Sequence, residues 1–243
     1  MTTLKELLSQ HIGIAFGRQL AFADFLEKQN CLENSEFNVD MNQGVVAFGK
    51  DLRYPIQLLG SESYGDSSWL WAWANTASNL PENLLQSVNR LKSLGSELQI
   101  EEFTDPGFSL ERAHGHLLSL IASGIHGHSC YYRAPYSGGA LYFLVLDLPR
   151  EIFETPDSPR LISTIMELIS KSFDIDCRNM VESLFAAHQY SVQSTDDGLL
   201  VAKGSESISI SFDSLGRITN IGGRAVGSAP RPPRTKKPWW KFW

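Results

Sequence analysis

The sequence predicts an α+β fold, and three observations carry that prediction. A long amphipathic helix pattern opens the chain, period-two strands separated by turn residues follow it, and helix and hairpin signals alternate beyond. The expected architecture is an antiparallel β-meander sheet packed by an N-terminal helix and further helices. A smaller helix-pair plus antiparallel sheet subdomain and a disordered C-terminal tail complete it. The boundaries fall at 1–150, 157–222 and 223–243.

Residues 2–30 read as one helix. Leu4, Leu8, Ile12, Ala15, Gln19, Phe22 and Phe25 recur at helical intervals, and Thr3 with Glu6 has capping-box spacing. Gly13 and Gly17 weaken the pattern without breaking it. Strands follow at 36–41 and 45–50 around Asn42-Gln43-Gly44, then at 53–63, where Pro55 points to an edge or a strand start. Residues 67–75, "SSWLWAWAN", read as a further strand. In extended backbone Trp69, Trp71 and Trp73 share one face, while Leu70, Ala72 and Ala74 share the other. Filling a core is the leading reading of these tryptophans, and a groove wall accepting a ligand or peptide is the alternative.

Helices are expected over 78–95, with Gly95 closing the first, and over 109–124. Residues 128–148 form a hairpin around Gly138-Gly139. Three prolines in 149–159 mark a linker. Two helices then occupy about 159–173 and 176–188, and short strands from 190 to 221 form a second antiparallel sheet.

Net charge is −6, unevenly spread. Arg224, Arg231, Arg234, Lys236, Lys237 and Lys241 lie in a stretch without acid. Without those six, 15 basic residues face 27 acidic ones, a net of −12. Three tryptophans close this basic stretch in "KKPWWKFW". Exposed aromatics on a flexible tether are unfavourable unless something buries them. Lys236, Lys237, Trp239, Trp240, Lys241, Phe242 and Trp243 are therefore the candidate partner-binding residues, on a tether with a reach of roughly 20 Å. A protein partner ranks first and an anionic membrane surface second. The molecule's own body ranks third and nucleic acid last, since the acidic body repels polyanions and offers no basic or aromatic platform.

No catalytic residue, cofactor or metal is assigned. His126, His128 and Cys130 would converge if they lay on one strand, but no fixed metal-binding spacing supports them. His114 and His116, if helical, point about 200° apart. Nucleophile-elbow and phosphate-loop motifs are missing. Three widely spaced cysteines, no 18-residue apolar run and no signal-like start indicate a cytoplasmic protein.

The Leu59-Gly60-Ser61 turn and the run Trp69-Leu70-Trp71-Ala72-Trp73-Ala74-Asn75 resemble a family of uncharacterised bacterial proteins, over roughly residues 5–150. That resemblance implies a bacterial, cytoplasmic protein and lends no catalytic residue. The expected function is a non-enzymatic protein-interaction module, of adaptor or immunity type. The alternatives are peripheral membrane binding through the tail, or an enzyme whose site is assembled from residues distant in sequence.

Overall fold

A computed structural model describes residues 2–31, 37–171 and 173–224. The fold is α+β. The chain divides into two compact units. Among the described residues, 2–4 and 18–153 make the first, and 5–17 together with 154–224 make the second. One helix, α1 (Leu4–Lys28), therefore serves both. Among the described residues no helix is long and apolar enough to cross a membrane.

The first unit holds a seven-stranded antiparallel sheet: β1 (Phe37–Asp40), β2 (Val45–Phe48), β3 (Leu52–Ser63), β4 (Ser68–Trp71), β5 (Gly107–Ser109), β6 (Cys130–Tyr136) and β7 (Gly139–Val145). The long strand β3 joins its two halves. Its first residues pair with β2, and its later residues pair with both β4 and β7. The pairing with β7 shifts register between Leu58 and Gly60, so Leu58 and Leu59 are both fully buried.

The helices of this unit are α2 (Gln86–Leu98), the single turn α3 (Glu101–Thr104) and α4 (Gly115–His126). The second half of α1 buries Phe22, Phe25 and Leu26, and Phe22 meets Phe48 edge-on at 5.8 Å. Gln19 stands in the apolar stripe of α1 because its amide serves β6. Nε2 donates to the Tyr131 carbonyl at 2.8 Å, and Oε1 accepts from the Tyr131 N–H at 3.1 Å.

Several local expectations shift. The helix expected over 78–95 begins only at Gln86, after a 3-10 turn at Glu82–Leu84 that follows Pro81. Gly95 does not end it. A Cβ there would lie 2.5 Å from the Cβ of Phe103, so the glycine admits the chain that follows α2, and Gln99 takes the left-handed cap position. The helix expected from 109 starts at Gly115 because residues 107–109 pair with β4. Inside the expected linker, a 3-10 turn at Arg150–Phe153 buries Ile152.

In the second unit α5 (Ser158–Ile169) and α6 (Cys177–Ala187) accompany the first half of α1. Asp157 and Asp176 cap them, accepting from the N–H groups of Arg160 and Asn179. At Gly13 and Gly17 those helices pack closely on α1: a Cβ would stand 3.1 Å from Leu184 Cβ at the first and 3.6 Å from Thr164 Cγ2 at the second. The sheet runs β11-β10-β9-β8, from β8 (Ser191–Thr195), β9 (Gly198–Lys203), β10 (Glu206–Phe212) and β11 (Ile218–Arg224). Ile208 and Ile210 of β10 face Val201 and Leu199 of β9 in register, and all four are buried.

Gly60 offers a direct test of the first unit. A Cβ there would meet Trp69 Cζ2 and the Leu70 carbonyl at 2.5 Å, whereas at Gly65 nothing is closer than 3.9 Å. Gly60→Ala is expected to cost about 1–3 kcal/mol of unfolding free energy in urea titrations, and Gly65→Ala to stay within about 0.5 kcal/mol.

Candidate functional site

A buried set of chemistry-bearing side chains lies where β3, β6 and β7 meet the start of α4. Glu62 is its centre. This carboxylate is 7% exposed, in cross-strand register with Ala140 of β7 and Trp69 of β4. Its Oε1 accepts from the Gly115 N–H at 2.8 Å, and its Oε2 accepts from the Tyr142 hydroxyl at 2.8 Å. Tyr142 in turn accepts from Arg133 Nε at 3.2 Å, and Arg133 Nη2 donates to the Tyr64 hydroxyl. The chain of contacts thus runs from a helix N-terminus, through a buried acid, to a tyrosine that is half exposed at the surface.

The same helix end carries two histidines. His114 is the N-cap of α4, where its Nδ1 accepts from the Leu117 N–H at 3.3 Å. His116 is 6% exposed, and its Nδ1 lies 2.9 Å from the Tyr131 hydroxyl. The two rings stand 6.2 Å apart, edge to face. The helical estimate of opposed directions fails because His114 precedes the helix, in extended backbone.

Burial pushes the His116 imidazolium well down from its ordinary value, and the neighbouring His114 and Arg133 add to the effect. His114 is lowered by burial too, though the Glu62 carboxylate opposes this. Burial, then the Glu62 charge, pushes the Tyr142 hydroxyl up, and burial does the same at Tyr131. Both tyrosines are therefore neutral hydrogen-bonding groups at ordinary pH.

Trp69 and Trp71 are walls of this centre and each is 1% exposed. Trp69 packs edge-on against Trp71 at 5.2 Å and Tyr142 at 5.5 Å. Glycine makes room for it twice, at Gly60 and at Gly115. A Cβ on Gly115 would lie 2.8 Å from Trp69 Cζ3 and 2.6 Å from the Tyr142 ring. Trp69 contributes bulk, since its Nε1 has no hydrogen-bond partner among the described residues, whereas Trp71 Nε1 donates to the Glu102 carbonyl at 2.8 Å.

Trp73 departs from the expected shared face. The strand ends at Trp71 and the chain turns into a 3-10 segment, Ala72–Ala74, so alternation stops. Trp73 is half-buried there, with Lys92 Nζ 3.6 Å above its ring. The three indoles thus do not line one strand face, and the first two fill the core.

The other sequence candidates separate. His126 ends α4, His128 lies in the following loop beside Phe153 at 5.3 Å, and Cys130 is buried in β6 with its Sγ 3.6 Å from the Arg18 carbonyl. Among the described residues no three His, Cys, Asp or Glu side chains come together as a metal site requires. Lys236, Lys237, Trp239, Trp240, Lys241, Phe242 and Trp243 lie outside the described residues. Sequence reasoning missed Glu62, Tyr142 and the His116–Tyr131 pair. The one signal for them was an acid within a strand whose neighbours are aromatic.

The described geometry defines an α+β domain with a polar centre closed by its own backbone and side chains. Residues 5–148 match the model of DUF6882, a family of unknown function, and the chain belongs to that family. The expectation of a domain family without an assigned activity holds. Comparison with curated proteins and with solved structures finds no match.

The closed network predicts coupled stability effects. Tyr142→Phe leaves a buried carboxylate oxygen short of a donor, and Glu62→Gln removes the acceptor charge. Each is expected to cost about 1–3 kcal/mol in chemical denaturation. The double variant should cost clearly less than the sum, because both changes break the same contact.

Proposed function

We propose that this chain is a non-enzymatic protein-interaction module, of adaptor or immunity type, that presents residues 236–243 to a protein partner. The observation that carries the reading is the composition of that segment: Trp239, Trp240, Phe242 and Trp243 interleaved with Lys236, Lys237 and Lys241. Tryptophan dominates interface hot spots because one rigid side chain buries a large area at low entropic cost. Residues 224–238, with four prolines and three arginines, supply a spacer.

The body supports the reading in a second way. The buried polar constellation around Glu62 directs its hydrogen bonds into the fold: both Glu62 oxygens and the Tyr142 hydroxyl are engaged by the protein itself. We read that engagement as structural, since it ties a helix end to two strands. The reading places the protein in the cytoplasm, and three free cysteines are compatible with a reducing compartment.

The alternative, peripheral attachment to anionic lipid, rests on the same residues, since tryptophan and lysine both favour a membrane surface. Its weakness is the −12 carried by the rest of the chain. A quantitative pull-down from native lysate separates the two. Trp239→Ala/Trp240→Ala/Trp243→Ala is expected to weaken partner capture at least thirtyfold, following the roughly 2 kcal/mol typical of a hot spot. Lys→Gln changes at 236, 237 and 241 should weaken it far less. An unaltered partner set in the triple tryptophan variant refutes the proposal. Salt-sensitive flotation with phosphatidylserine vesicles would favour the membrane instead.

A further inference from the structure

We propose that the first turn of α4 is an acid-responsive joint, held by neutral His114 and His116 and loosened when they take up protons. This inference does not rest on residues 236–243.

The geometry at the helix end carries it. His114 caps α4 by accepting from the Leu117 N–H through Nδ1. An imidazolium carries hydrogen on both ring nitrogens, so it cannot accept that bond. The cap therefore forms only with the neutral ring. His116, two residues on, is buried between the rings of Tyr131, at 5.8 Å, and Tyr142, at 5.3 Å. A proton there places charge in an aromatic enclosure at the positive end of a helix.

Among the described residues, charged and titratable groups face the pair from three strands. Glu62 comes from β3, Tyr131 and Arg133 from β6, and Tyr142 from β7. Arg133 is already cationic. Glu62 is an anion, and its two oxygens are held by Gly115 and Tyr142. Protonation of both rings would add two cations beside Arg133.

The direction with pH follows. In the unfolded chain an imidazole titrates near 6.5, and in the folded chain both rings titrate lower. The unfolded state therefore binds protons first. Stability is full above about pH 6.5 and falls as pH drops toward the folded values. His11 and His126 are lowered by burial as well, so the wild-type slope contains contributions from outside the joint.

The test compares urea unfolding at pH 7.5 and 5.5 for wild type, His116→Gln and His114→Asn. Glutamine bonds Tyr131 without titrating, and asparagine is a good cap that does not titrate. Between those pH values His116 is expected to account for up to about a tenfold fall in the folding equilibrium constant, and His116→Gln should abolish that share. His114→Asn should abolish a smaller one.

Amide exchange in the wild-type protein supplies the local readout, independent of whether His116→Gln folds. After correction for intrinsic rates, protection at Leu117 and Leu118 should fall more than at Phe143 of β7 on going to pH 5.5. Uniform loss of protection, or unchanged protection at Leu117, overturns the joint. Slopes identical to wild type in both variants overturn it too.

Discussion

Burial of the Glu62 carboxylate is the constraint around which the first unit is arranged. An isolated charge in an apolar interior costs far more than a domain's net stability, so it persists only where donors surround it. Here the donors come from the N-terminus of α4 and from Tyr142 of β7, with Arg133 of β6 behind the tyrosine. None of those donors is near Glu62 in sequence. The acid therefore specifies which helix end and which strand must arrive together. A one-residue slip of β3 against β7 would turn the carboxylate away from both.

Steric fit around the tryptophans works with that electrostatic requirement. Gly60 and Gly115 each leave the space that the Trp69 ring occupies, and Gly115 also lets the helix end approach Tyr142. The same glycine presents the N–H that Glu62 accepts. Gly95 repeats the device where Phe103 crosses α2, and Gly13 repeats it in the second unit against Leu184. In each case the missing Cβ permits close packing, and the dispersion attraction at that short range offsets the entropic cost of a glycine in regular structure.

A division of labour follows from these facts and from the functional proposal. The folded body uses its buried acid, histidines and tyrosines to define one structure. The functional proposal gives recognition to residues 236–243, whose aromatics and lysines lie apart from that buried network in the sequence. Under that proposal the body needs no cleft. It needs only to be stable, and its negative charge discourages non-specific contact with polyanions.

The sequence by itself determined the fold class and the sites of most helices and hairpins. Helix period, strand alternation and glycine-containing turns are local physics, visible within a few residues, though the turn expected at Gly138-Gly139 falls on Ser137-Gly138, with Gly139 already paired in β7. It made a filled core the leading reading of Trp69, Trp71 and Trp73, and that holds for the first two. Tertiary structure alone decided that Trp73 leaves the strand, that Gly95 is a contact and not a stop, and that α1 divides between two units. It alone assembled Glu62, Gly115, Arg133 and Tyr142, and it set His114 ahead of its helix beside His116. Those outcomes depend on the register shift in β3 and on partners 53 and 80 residues from Glu62, distances over which one chain's local pattern carries no signal.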